Sequence, residues 1–310
     1  MIQIALLLWL LCAIVVVLER KIDKIIIYLG VFSLISALCF LLFGAPDVAM
    51  AEASISALST IFFIVYFEKY FKTPRAKKNT TKEKKTGFLK KHLLTLSFTM
   101  VLVALFLYFV PELTAHLSLK ESYLTLFAQE IAGENAVTSI YLGYRVYDTI
   151  FEALMLLVSV IAVTHLSSYS YNHKSSKKKS DFHGLEVANI NIRLVMPIML
   201  VIAVYLVGNG HLTPGGGFQA GVMLASFFIC RYMIFGIVDI NISQIINLEK
   251  IIYLMTITLV IMFIFLGLNV IIPEFKSLYL ITINTLLAIK VACGFIVIFY
   301  RYVAIEKEEL

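Results

Sequence analysis

Asp148 and Glu152 stand four residues apart in an otherwise apolar stretch, and helical spacing would put both carboxylates on one face about 6 Å apart. Two like charges so close cannot both stay ionised cheaply away from water, so the pair is a candidate proton relay. An acid pair at the water interface, partly solvated by Arg145, is the alternative. Asp47 and Glu52 form a second acidic set in Gly-Ala-Pro-Asp-Val-Ala-Met-Ala-Glu-Ala, residues 44–53. Asp47, next to Pro46, suits the positive end of a helix dipole. Glu52 would lie about 7–8 Å deeper along that helix. A lipid-facing carboxylate there is costly, which points to an ion path or a neighbouring subunit. Lys290 stands near the middle of a long apolar run, where an unpaired charge costs about 2.5–3.5 kcal/mol. It is expected either to pair with an acid or to titrate in a hydrated path.

Residues 208–221 add a polar hinge, Gly-Asn-Gly-His-Leu-Thr-Pro-Gly-Gly-Gly-Phe-Gln-Ala-Gly, between two apolar runs. Pro214 fixes one turn, and Gly215, Gly216 and Gly217 permit backbone angles that other residues resist. His211 offers an imidazole able to make hydrogen bonds nearby. The segment reads either as a tight interhelical turn or as a hinge beside an ion path.

The elements that must carry these groups are membrane helices. The chain has 310 residues, 60% hydrophobic and 15% charged, and apolar stretches long enough to cross a bilayer recur. The expected fold class is an all-α, polytopic integral membrane protein. Nine spans are predicted, at 2–18, 25–43, 46–67, 93–110, 147–166, 193–208, 217–236, 251–268 and 279–300. The first reads as a span rather than a cleavable leader, because Glu19-Arg20-Lys21 follow its apolar core and nothing basic precedes it. With the N-terminus outside and the C-terminus cytoplasmic, every lysine and arginine falls inside except Lys120, Arg145, Lys276 and the in-span Lys290. The net charge of +6 is thus a sorting signal, and the Lys77–Lys91 run is not expected to bind nucleic acid.

Two lysine-rich stretches divide the chain. A three-span unit (1–70) precedes a basic cytoplasmic linker (71–92). A two-span unit (93–166) and a second basic linker (167–188) lead to a four-span unit (189–310). Cys12, Cys39, Cys230 and Cys293 stand alone in apolar sequence, so no iron–sulfur, zinc or other metal ligation and no cofactor is expected. No phosphate-binding loop or nucleophile motif occurs, so no catalytic site is expected either.

Residues 189–221, Asn-Ile-Asn-Ile-Arg-Leu-Val-Met-Pro and then the glycine hinge, resemble the B subunit of Mrp-type multisubunit sodium/proton antiporters. Residues 44–53 and 135–152 resemble the small domains at the C-terminal end of that complex's large A subunit. The same three units resemble three small membrane subunits of energy-converting, membrane-bound hydrogenases. Nothing resembles the large antiporter-like subunit with its lysine–glutamate proton channel. The resemblance implies a plasma-membrane subunit that handles Na+ and H+ beside partner subunits, including that large one. It also implies that Glu52, Asp148 and Glu152 match acids of the ion route. On this view Asp47, Glu52, Asp148 and Glu152 would line a hydrated vestibule, with Lys290 setting the field a cation must pass. The rivals are a non-conducting clamp between a redox arm and an antiporter, and a self-sufficient transporter. Against the latter stands the lack of an internal repeat.

Overall fold

The structure is a computed structural model. It describes residues 2–71, 100, 101, 104, 125–127, 131, 133–168, 186–235, 241–265 and 275–304. The principal elements are α1 (Ile2–Leu18), α2 (Ile22–Leu42), α3 (Pro46–Phe71), α4 (Ala136–Ser139), a π turn (Ile140–Tyr144), α5 (Val146–Ser168), α6 (Glu186–Asn209), α7 (Gly217–Phe235), α8 (Ile242–Phe265) and α9 (Phe275–Ala304). No strand occurs among the described residues. Six helices, α2, α3, α5, α6, α8 and α9, are long and apolar enough to cross a membrane, and α1 is a shorter apolar helix. The protein is therefore a multi-pass, all-helical membrane protein. Helices suit that solvent because each backbone N–H finds its partner within the same segment. The expected span at 93–110 and both basic linkers lie almost wholly outside the described residues.

Most helix positions follow the hydropathy pattern, with two departures that matter for the site. The first is α8, which begins at Ile242, well before the expected 251, and so takes Glu249 and Lys250 into the helix. The second lies between residues 140 and 145. A continuous helix from Asn135 would align Val137, Ile140, Tyr141 and Tyr144 with Asp148, Glu152 and Met155. Instead the chain widens into the π turn, where Arg145 N donates to Ile140 O at 2.8 Å. One extra residue in a turn rotates the rest of the helix by about 100°. The freed carbonyls are met from elsewhere: Tyr279 OH donates to Leu142 O (3.1 Å) and Thr149 Oγ1 to Tyr141 O (2.8 Å). The expected single stripe is broken, and Asp148 and Glu152 end on the exposed side of α5.

Helix α9 is the axis of the bundle. Over its membrane-length window 61% of residues are buried, against 17–22% in the other five spans. It packs against α3, α5, α6, α7 and α8, while α1 lies on α2 and α2 on α3. Leu58, Val222, Ile229, Val291 and Phe299 join α3, α7 and α9 in one core. Leu142, Val146, Val260, Leu280 and Ile283 join the π turn, α5, α8 and α9 in a second. The turn into α3 is set by Gly44 at φ 75, a conformation that favours glycine, with Pro46 opening the helix. In the turn between α1 and α2, Glu19 accepts from the N–H groups of Arg20 and Lys21, which hold its carboxyl below the usual range.

Close approach of α7 to α9 depends on Gly217 and Gly221, four residues apart. A Cβ at Gly217 would stand 2.5 Å from Asn284 O, and one at Gly221 would stand 2.6 Å from Val291 Cβ. Small residues at this spacing let helix backbones meet in lipid. Gly221→Val is expected to cost about 1–3 kcal/mol by overpacking. A lowered melting temperature in detergent checks it, and an unchanged one would show that α9 yields at this point.

Candidate functional site

Two polar clusters are buried between the helices. The first lies at the hinge and draws residues from all three sequence units. Asp47, on the first turn of α3, is buried, and its Oδ1 accepts from Gly215 N at 2.8 Å and from Asn135 Nδ2 at 3.0 Å. Asn135 caps α4 with its Oδ1, which accepts from Val137 N and Thr138 N, while its amide nitrogen also donates to Thr213 O at 3.0 Å. Thr138 Oγ1 donates to Gly210 O at 2.7 Å, and the N–H groups of Glu134 and Asn135 both donate to His211 O. The start of α7 is met from α9: Asn284 Oδ1 accepts from Gly217 N at 3.1 Å and from Tyr141 OH at 3.4 Å.

This geometry extends one expectation and corrects another. Asp47 stands in the first turn of its own helix, as expected, and its carboxylate also reaches across to two other units, because burial leaves their N–H groups in need of an acceptor. Gly216 was expected to need glycine's backbone freedom. The residue with positive φ is Gly215 (φ 135), whereas Gly216 is small because Tyr141 OH occupies the space a Cβ would need. Gly215→Val is therefore expected to strain the backbone by about 1–3 kcal/mol. Reduced yield of folded protein in detergent checks this, and native yield would remove the conformational argument. Pro214 is exposed at the rim. The His211 side chain is buried, with Nδ1 lacking a hydrogen-bond partner, as do Ser139 Oγ and Asn284 Nδ2 nearby.

The second cluster lies deeper, where α5, α8 and α9 meet. Lys290 Nζ stands 3.4 Å from Glu249 Oε1, and both side chains are 0% exposed. The ammonium also donates to the carbonyl of Ala153, and the Tyr253 ring lies 6.0 Å away. Neither Glu249 oxygen has a hydrogen-bond partner beyond this ion pair. Of the two expectations for Lys290, the acid partner exists, and it is a residue the hydropathy pattern hid. Glu249 sits in the polar Asn-Leu-Glu-Lys stretch that looked like the approach to a span. The available signal was spacing: Glu249, Ile252, Thr256 and Val260 fall on one buried stripe of α8.

The remaining acids are apart from these clusters. Arg145 Nε donates to Asp148 Oδ2 at 2.7 Å, and the two side chains are 64% and 60% exposed. Glu152 is exposed on α5, one residue before the carbonyl that holds Lys290. Glu52 is half-buried on α3. Among the described residues no group of histidine, cysteine, aspartate or glutamate is arranged to hold a metal ion.

Such a bundle, with charges paired inside its helices, is that of a polytopic membrane protein built around an internal ion pair. Residues 187–306 match the model of a domain related to the MnhB subunit of Na+/H+ antiporters, and residues 7–72 match that of the D subunit of MBH. One polypeptide thus carries a stretch similar to MnhB-related domains and a stretch similar to the MBH D subunit. It is 29% identical over 140 residues to the putative antiporter subunit mnhA2 of Staphylococcus aureus. That match covers 45% of this chain but only 17% of the relative's length. The fold matches a chain of the Mrp complex from Dietzia sp. DQ12-45-1b (TM-score 0.72, 16% identity, 99% of this chain and 35% of that one). It also matches a chain of the membrane-bound sulfane sulfur reductase, an archaeal respiratory membrane complex (TM-score 0.55, 23% identity, 71% of this chain and 100% of that one).

Proposed function

We propose that this chain is a membrane subunit of an Mrp-like cation/proton antiporter module, free-standing or attached to a redox complex, and that it contributes a path for Na+ or H+. Its partners are the other subunits of that complex, among them a large antiporter-like subunit. It transforms no substrate itself, and any redox chemistry belongs to those partners. The observation that carries this reading is the enclosed pair Lys290–Glu249. Removing two charges from water costs several kcal/mol per ion, and an apolar pair of similar size would hold the helices as well. Charges kept inside membrane helices at that cost mark ion pathways. Glu152, exposed on α5 one residue before the Ala153 carbonyl that holds Lys290, is the candidate outlet of the route, and Glu52 and the buried His211 are further candidates along it.

The clamp reading has support of its own in Asp47, whose carboxylate ties the first unit to the second and third. One preparation separates the two. A tagged chain is expressed with its neighbouring subunits, recovered from membranes, and reconstituted for Na+-dependent dissipation of a pH gradient. The antiporter reading expects a large antiporter-like subunit to copurify and Glu52→Gln or His211→Ala to alter exchange without altering composition. Exchange identical to the native complex in both variants would favour the clamp.

A further inference from the structure

Helices α6 and α7 leave the hinge antiparallel, and beside it Leu206 and Val207 of α6 cluster with Ala220 and Met223 of α7. Toward the far end of the pair an open groove of about 470 Å³ runs along α6. It is lined by Arg193, Met196, Pro197, Leu200 and Val201, with Phe227 of α7 on its other wall. Positions 193, 197 and 201 are one helical turn apart, as are 196 and 200, so the groove follows one face of α6. Pro197 brings no N–H, so one helical hydrogen bond is missing at this level.

The length of the groove suits a hydrocarbon chain. Pro197, Leu200 and Val201 are exposed within it, as are Leu194, Val195 and Ile198 beside it. Its volume falls within the ~300–1,000 Å³ of small-ligand sites. The mouth has a different chemistry. Arg193 is exposed at the end nearer the start of α6. Arg231 is exposed on α7 one turn past Phe227, and the antiparallel packing brings it to the same end. From Ile190 to Phe235 the sequence holds no aspartate or glutamate, so this end of the two helices is purely basic. Arginine near the end of a span keeps its stem in apolar surroundings and reaches for the headgroup layer. Guanidinium groups there favour phosphate, which they bind through paired N–H donors. Basic pockets between transmembrane helices bind phospholipid head groups in this way. A partner helix would need an acid aimed at the arginines and ridges that match a groove broken at Pro197. A flexible acyl chain follows such a groove without that matching.

We propose that this groove binds one anionic phospholipid, with its phosphate held between Arg193 and Arg231 and one acyl chain lying along Met196, Leu200, Val201 and Phe227. The charge and the shape of the groove both call for that molecule: two basic side chains at the mouth, and apolar ones behind them. The site lies at the far end of α6 and α7 from the hinge, and it holds whether or not the chain carries ions.

The test uses the full chain, recovered from membranes with its native partners and returned to phosphatidylcholine vesicles. These contain a small share of phosphatidylglycerol with a photoreactive acyl chain, and after illumination the label is mapped by peptide mass spectrometry. The native chain is expected to carry label within residues 196–201 and at Phe227, and the same reactive chain on phosphatidylcholine is expected to label them far less. R193Q/R231Q is expected to lower phosphatidylglycerol labelling by about fivefold for each arginine removed, at unchanged subunit composition. Val201→Trp fills the groove while keeping both charges, and is expected to abolish label there. Excess inorganic phosphate should leave labelling unchanged, because it has no chain to seat. Equal labelling by the two lipids, native labelling in R193Q/R231Q, or displacement by inorganic phosphate would overturn the site. The comparison of lipids needs no variant, so it decides even if R193Q/R231Q fails to assemble. Absence of label from the native groove would overturn the site as well, and crosslinking of Val201→Cys to a neighbouring subunit would then identify a partner helix as the occupant.

Discussion

Lys290→Met is expected to destabilise the folded chain by about 3–5 kcal/mol, because it leaves Glu249 as an uncompensated charge in an enclosed place. Glu249→Gln should cost a similar amount for the mirrored reason. Removing both together should not add these losses. The double variant E249Q/K290M presents a neutral pair of similar volume, and the coupling between the sites should return most of the stability. Thermal unfolding of the purified protein in mild detergent reads all three. Additive losses in the double variant would mean that the two side chains do not meet as described. Near-native stability in both single variants would mean that water reaches the pair and screens it.

Asp47→Ala is expected to cost about 1–3 kcal/mol, since the Gly215 N–H is left buried without an acceptor, whereas the Asn135 amide keeps Thr213 O and Gly210 O. Had Asp47 served only its own helix dipole, the loss would be about 0.3–1 kcal/mol. The two accounts therefore differ by a measurable margin. Asp47→Asn keeps an acceptor oxygen while losing the charge, and should fall between the native protein and the alanine variant. Limited proteolysis adds a local readout: cleavage within residues 208–217 should rise in Asp47→Ala. A stable alanine variant with an intact hinge would return Asp47 to a helix-end role.

The fold was legible where composition alone decides. Apolar runs place α1, α2, α3, α5, α7 and α9 within a few residues of their observed limits, because lipid leaves the backbone no alternative to the helix, whereas α6 begins at Glu186, well before the expected 193. The site was less legible, and the reasons differ residue by residue. Glu249 was hidden because a polar stretch at a helix start looks the same whether it is solvated or folded against a lysine from another helix. The π turn was hidden because one freed carbonyl is met from α9, by Tyr279, and the other by the Thr149 side chain just past the turn, and apolar periodicity reveals neither. Asp47 showed only part of its chemistry. A carboxylate beside a proline at a helix start is ordinarily a dipole partner, and only the arrival of Asn135 and Gly215 from distant sequence gives it another task. Lys290 was the clearest signal, since an unpaired lysine at that depth is costly enough to demand a partner.

The central claim is that this chain carries ions through its own buried charges rather than only joining subunits that do. It is tested most directly in cells lacking this chain, complemented with the native sequence or with E249Q/K290M, by assaying Na+-dependent dissipation of a pH gradient in everted vesicles and measuring the recovered complex beside it. The account predicts full assembly in both cases, with exchange restored by the native chain and absent with the double variant. Equal exchange from both, at equal assembly, would contradict it.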